Sequence, residues 1–188
     1  MKKFIPVFFA VATAPWAAHA ADVANPMFGT DTQNSIALYV GQGTGPGTLF
    51  KLVDPFLWEF EPMTNLMLQY SQPVQVFRLP SRINLNLVQN LGYGHDRGLS
   101  FTAVGISWDI VLVHWRGFYL GLGVGPYMRD TRDRYVASRL VFGERVFIGK
   151  DITNRWRAEF FTQHFSNGDF TELNRGFNFT GLAISYSF

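Results

Sequence analysis

Near the C-terminus the chain reads Arg155-Trp156-Arg157-Ala158-Glu159-Phe160-Phe161-Thr162-Gln163-His164-Phe165-Ser166-Asn167. Two of these side chains have types and spacing that could do chemistry. If the segment is a β-strand, residues i and i+2 lie side by side on one face. The imidazole of His164 can then approach the hydroxyl of Ser166. A serine hydroxyl is a weak nucleophile at neutral pH and needs a neighbouring base to take its proton. The pair could therefore attack an ester. A His-x-Ser spacing also arises by chance, and an interfacial histidine beside an incidental serine accounts for it equally simply. The decision rests on the elements that hold the pair.

The odd positions of this segment, Arg155, Arg157, Glu159 and Gln163, are charged or polar. The even ones, Trp156, Ala158, Phe160, Thr162, His164 and Ser166, are largely apolar or small. The last eight residues alternate more cleanly. Leu182, Ile184, Tyr186 and Phe188 share one parity, and Gly181, Ala183, Ser185 and Ser187 share the other. One greasy face with no charge beside it, and one face of small or polar groups, is the pattern of a transmembrane barrel strand. The segment from Phe118 to Met128 repeats it, with Gly121, Gly123 and Gly125 on the face where a narrow interior limits side-chain volume.

Eight such segments are expected, at about 34–42, 63–78, 82–95, 99–113, 117–129, 139–149, 154–167 and 176–188. The fold class is all-β, an eight-stranded antiparallel transmembrane outer-membrane barrel. With both termini on the periplasmic side, short turns are expected at Leu79-Pro80-Ser81, His114-Trp115-Arg116 and Lys150–Thr153. The longer connections, Gly43–Pro62, Asp130–Ser138 and Gly168–Arg175, would face outward from the cell, and His95–Gly98 is brief. Trp58, Trp108, Trp115 and Trp156 could supply interfacial girdles.

At the other end Lys2 and Lys3 precede an apolar stretch and then Ala18-His19-Ala20. This is the layout of a secretory signal peptide over residues 1–20, with a single barrel domain over 21–188. Removing the two lysines brings the 16 basic residues level with the 14 acidic ones, so the basic pI does not point to nucleic acid. There is no cysteine, so stability must come from closure of the sheet and burial in lipid. No cofactor is expected and no metal site: His95, His114 and His164 lack ligand spacing, and His19 leaves with the signal peptide. Gly41–Gly47 lacks a phosphate-loop lysine and reads as a mobile external loop.

On this frame His164 and Ser166 face outward, near the top of a rising strand, where an unexplained polar group is disfavoured. The run His164-Phe165-Ser166-Asn167, followed by Asn174-Arg175-Gly176-Phe177-Asn178 and a terminal strand, resembles the PagL-type lipid A 3-O-deacylases. These are outer-membrane esterases acting on lipopolysaccharide. The resemblance is most specific over the C-terminal third. It implies Ser166 as nucleophile and His164 as general base, with Asn167 and the Gly168 amide at the oxyanion. Where such enzymes can carry a glutamate, this chain has Asn178. Asn178 shares the outward parity, and a hairpin centred near Thr171 sets it opposite His164. An asparagine oxygen can accept the imidazole N–H and fix its tautomer. Glu172 in the loop ranks second as third member, and Glu144 on the sixth strand ranks third.

The expected activity is hydrolysis of the 3-O-linked acyl ester of lipid A at the outer leaflet of a Gram-negative outer membrane. Lipopolysaccharide and the membrane are the partners, and oligomeric state is left open, a homodimer included. A structural or adhesive barrel and a lipid A acyltransferase are the rival readings. Phe160, Phe165 and Phe179 could flank an acyl chain. Arg129, Arg132 and Arg134 could bind lipid phosphates, unless their loop is simply solvated.

Overall fold

The computed structural model describes residues 33–47, 51, 53–76 and 79–188. The expected signal peptide lies outside these residues. Among them, eight strands form one closed antiparallel barrel: β1 (Ser35–Gly43), β2 (Glu61–Val76), β3 (Leu79–Gly92), β4 (Phe101–Trp115), β5 (Phe118–Arg129), β6 (Leu140–Asp151), β7 (Trp156–Ser166) and β8 (Phe177–Ser187). Each pairs with its sequence neighbour, and β1 closes on β8 from Ser35↔Ser187 to Gly43↔Phe179. Closure leaves no unpaired edge, which a sheet in lipid cannot tolerate.

Side-chain parity decides which face each residue takes. Ile36, Leu38 and Val40 of β1, Leu85 and Leu87 of β3, Val104 and Ile106 of β4, and Leu120, Leu122 and Val124 of β5 are exposed on the outer wall. In water such a surface would be an aggregation site; against acyl chains it is the stable arrangement. A bulge between Val111 and Val113 turns both Leu112 and Val113 outward.

The interior is packed rather than open. Arg82 pairs with Asp109 and Glu159, both at 2.8 Å, and Arg145 pairs with Asp109 at 2.5 Å. Tyr39 and Tyr119 donate to the Glu159 carboxylate at 2.7 and 2.9 Å. Two arginines and two acids thus neutralise each other inside the barrel, the condition for burying charge. The β5 glycines make room for them. A Cβ on Gly123 would lie 2.2 Å from Asp109 Oδ1, and one on Gly121 2.2 Å from the Phe147 ring.

The short turns fall slightly away from the expected places. Leu79, Pro80 and Ser81 are not a turn but the start of β3, paired with Val76, Gln75 and Val74. β4 pairs only from Ser81 onward, so Pro80 sits at a strand end where a missing N–H is tolerated. β4 and β5 are joined by Arg116 and Gly117, with φ of 51° and 79°, the left-handed pair of a two-residue hairpin. Lys150 and Asp151 belong to β6, and 152–155 make the next turn. Trp115 and Trp156 are exposed near this rim, whereas Trp108 sits mid-strand, opposite Ile83 and Val124, and belongs to neither girdle. The longer connections, 44–60, 93–100, 130–139 and 167–176, gather at the opposite rim and carry the site.

Candidate active site

The β7–β8 hairpin places the chemistry-bearing side chains. Its tip turns at Asn167, with Gly168 and Asp169 both at φ 62° and Phe170 N–H donating to Asn167 O at 3.2 Å. Asn167 ties the loop together. Its N–H donates to Asn174 Oδ1 (2.9 Å), its Oδ1 accepts from Asp169 N–H (2.9 Å), and its Nδ2 donates to Leu173 O (3.1 Å) and to Thr171 Oγ1. Asparagine suits this because its short side chain bonds its own backbone and tolerates tight turns.

Below this tip, β7 and β8 pair with His164 opposite Asn178 and Thr162 opposite Thr180. His164 Nδ1 and Asn178 Oδ1 are 2.7 Å apart. A carbonyl oxygen can only accept, so Nδ1 carries the proton and Nε2 keeps its lone pair. Ser166 follows on the same face of β7. His164, Ser166 and Asn178 are 6%, 9% and 1% exposed, although their parity points out of the barrel. Something must cover them.

Residues 44–47 of the β1–β2 connection provide the cover. Thr44 N–H donates to Asn178 O and Gly47 N–H to Arg175 O, both at 2.8 Å. Farther along, Trp58 lies 6.5 Å from the Phe160 ring, and its Nε1 donates to Lys51 O at 2.9 Å. Thr44 to Gly47 is therefore pinned to the barrel end rather than mobile, and Gly41 to Gly43 belong to β1. The β5–β6 connection braces the hairpin from the other side. Arg175 N–H donates to Tyr135 O (2.7 Å) and Ala137 N–H to Leu173 O (3.1 Å).

Between these pieces lies a cleft of about 510 Å³. It is lined by His164 and Ser166 of β7 and by Gly168 and Asp169 of the turn. Asn174 and Arg175 of the hairpin and Pro46 and Gly47 of the β1–β2 connection complete the lining. The arrangement can present a hydroxyl and a base to a substrate entering from the rim. The Nε2–Oγ hydrogen bond is not formed among the described residues; such bonds often tighten only when substrate binds.

Other sequence-derived candidates are distributed as follows. Gly168 borders the cleft, but Asn167 has both its N–H and its amide committed to the turn. Glu172 is exposed in the hairpin loop and makes no hydrogen bond to His164. Glu144 is half-buried on β6, directly opposite His164. Of Phe160, Phe165 and Phe179, the first alone faces outward. Phe165 and Phe179 have odd parity and lie in the lumen, 1% and 0% exposed, so they cannot flank an external acyl chain. Phe142 stands opposite Ser166, with the exposed Phe170 ring 5.8 Å from it. Arg129 is buried over the Phe101 and Phe177 rings and paired with Asp133, whereas Arg132 and Arg134 are exposed. Arg175 is the guanidinium that borders the cleft. Sequence reasoning also missed Gly176 and Gly47, whose glycines were the available signal.

Fold and site together define an outer-membrane type of β-barrel bearing a serine–histidine pair on its outward face. The family model for lipid A 3-O-deacylase (PagL) matches residues 64–187, and the chain belongs to that family. It is an outer-membrane lipid A deacylase. No curated protein matches the chain. A solved structure titled as the crystal structure of the outer membrane enzyme PagL shares the fold, with a TM-score of 0.53 at 12% identity, over 81% of this chain and 98% of that one.

Proposed function

We propose that this deacylase is a serine esterase in which Ser166 is the nucleophile, His164 the general base and Asn178 the group that fixes the imidazole. The observation that carries the reading is the 2.7 Å bond from His164 Nδ1 to Asn178 Oδ1. It leaves the basic Nε2 for the hydroxyl two residues along the same face. Ser166 Oγ attacks the carbonyl carbon of the 3-O-acyl ester while its proton passes to Nε2. The tetrahedral oxyanion collapses, the bond to the sugar oxygen breaks, and His164 returns the proton to that oxygen. Water then attacks the acyl-enzyme, with His164 again moving the proton. A hydroxy fatty acid leaves and Ser166 is restored.

Gly168, which lines the cleft, is assigned as a backbone donor to the oxyanion, with Asn167 holding the turn that sets it there. Phe142, Phe160 and Phe170 offer the scissile chain an apolar path along the outer wall. Arg175 offers a cation to a phosphate of the lipid A headgroup. Because the site opens at the rim of long connections, the reading places it at the outer leaflet, where lipid A is met laterally.

Mass spectrometry of lipid A from a Gram-negative host expressing the protein tests the reading. Loss of one hydroxyacyl chain with the wild type, and none with Ser166→Ala, is the expected result. Unchanged lipid A would leave a structural barrel, and an added chain an acyltransferase.

A further inference from the structure

The Ser166–His164 reading leaves one electrostatic need unmet, and Glu144 stands where it could be met. In a triad the acid does two things: it holds the histidine tautomer, and it stabilises the imidazolium formed when the histidine takes the proton. Asn178 does the first and carries no charge for the second.

His164 has a cross-strand neighbour on each side. Asn178 of β8 is one, and Glu144 of β6 is the other. All three share the outward parity. On β6 the outward neighbours of Glu144 are Phe142 and Val146, so a carboxylate interrupts a wall that is otherwise apolar there. Among the described strands, the remaining outward-facing charge on β6 is Lys150, near the strand end by the short turn, where it can reach the headgroups. An unpaired carboxylate on the outward face of a membrane barrel is disfavoured and calls for a functional reason. Glu144 Oε2 is buried with no hydrogen-bond partner, and no cation pairs with Glu144 among the described residues. Directly opposed side chains have Cβ atoms about 5 Å apart, close enough for a carboxylate and an imidazolium to stabilise each other when His164 takes the proton.

We propose that Glu144 supplies the negative charge that Asn178 lacks, so that the two roles of a triad acid are divided between the two strands flanking His164. Glu144 acts through His164 rather than on substrate and is a positioning residue. Four other charged groups stand near the cleft. The hairpin contributes Asp169 and Arg175 at the cleft. The β1–β2 connection contributes Lys51, which packs on Gly47 and pairs with Glu59 at 3.4 Å.

The inference rests on the serine–histidine reading, and its test separates the two. Purified full-length protein is assayed on lipopolysaccharide in detergent micelles, with folding of each variant checked by the heat-dependent gel mobility of barrels. Glu144→Gln should lower kcat by about 10- to 30-fold with KM nearly unchanged, and Glu144→Asp should recover part of the loss. In an Asn178→Glu background, where a carboxylate already touches the imidazole, adding Glu144→Gln should cost less than about 2-fold, since the charge is then redundant. Full kcat in folded Glu144→Gln overturns the inference, and so does an equal loss in both backgrounds, which would mark a packing role. If Asn178→Glu is itself inactive, the contrast between Glu144→Asp and Glu144→Gln decides: equal losses overturn it. Activity retained by Ser166→Ala would instead sink the underlying mechanism.

Discussion

Gly176 fits against His164 because it has no side chain. A Cβ there would lie 2.5 Å from His164 Cε1 and 3.0 Å from Gly47 O, and the residue has φ of 70°, a conformation that side chains resist. The hairpin therefore re-enters β8 by passing directly over the imidazole, with the β1–β2 connection on its other side. Gly176→Ala must displace the ring or the roof. It is expected to cut turnover at least about 10-fold, while the barrel keeps its heat-dependent gel mobility. Wild-type turnover in that variant would show that the ring position does not matter.

The nucleophile and base give the largest effects. Ser166→Ala and His164→Ala should each reduce turnover toward the order of 10⁶-fold seen when a catalytic member is lost. Both side chains lie outside the charged network of the lumen and off the paired backbone that closes the sheet, so the folded barrel should persist. A chelator should leave the wild type unaffected, because the proposed steps use no divalent ion. Inhibition by chelator, measured as release of hydroxy fatty acid, would point to a metal-assisted attack instead.

Asn178 should matter far more than Glu172. Removing the oxygen that holds Nδ1–H frees the imidazole to adopt the wrong tautomer, an error that costs roughly 10⁴-fold when introduced in a serine protease. Asn178→Ala is expected to approach that loss and Asn178→Glu to stay active. Glu172→Ala, altering an exposed loop residue, should change turnover less than about 2-fold. An inactive Glu172→Ala beside an active Asn178→Ala would reverse the assignment.

What could be read from the sequence here is what repeats with a period of two. Alternation from Phe118 to Met128 and from Leu182 to Phe188 gave the faces, and the faces gave the barrel. Parity and a hairpin centre near Thr171 set Asn178 across from His164, where β8 indeed pairs with it. The strand rule carries no information about connections. Thr44 and Gly47 bond backbone to backbone with the β7–β8 hairpin, and such bonds leave no side-chain signature. That is why an outward-facing His164 turns out to be buried. Asn167 shows the same gap: beside a candidate nucleophile it reads as an oxyanion donor, but the turn at Gly168 and Asp169 consumes its hydrogen bonds. An acyl path through Phe165 and Phe179 overlooks their odd parity, and the lumen holds both.

Arg175 should affect binding more than chemistry. It borders the cleft and lies 5.2 Å from the Tyr135 ring, whose hydroxyl donates to Glu61 Oε1 at 2.9 Å. Stacking on an anchored ring holds a guanidinium ready for an anion. Arg175→Gln is expected to raise KM about 10-fold for phosphorylated lipid A with kcat little changed, and to have no effect on a dephosphorylated substrate. Equal losses on both substrates would remove the phosphate assignment.

Stability should be decided at the opposite face of the same wall, inside the lumen. Asp109 accepts from Arg82 Nε and Arg145 Nη2, and it is fully buried. Asp109→Ala leaves two buried guanidiniums against the single carboxylate of Glu159. Breaking a buried charge pair from one side costs about 3–5 kcal/mol. Asp109→Asn keeps the shape and one acceptor but loses the charge, so it should fall between wild type and Asp109→Ala. Because this network faces the lumen while Ser166 faces outward, the variants should lower the temperature at which gel mobility changes without abolishing deacylation at low temperature. A folded Asp109→Ala barrel as heat-resistant as wild type would mean that closure of the sheet, and not the internal ion network, sets the stability.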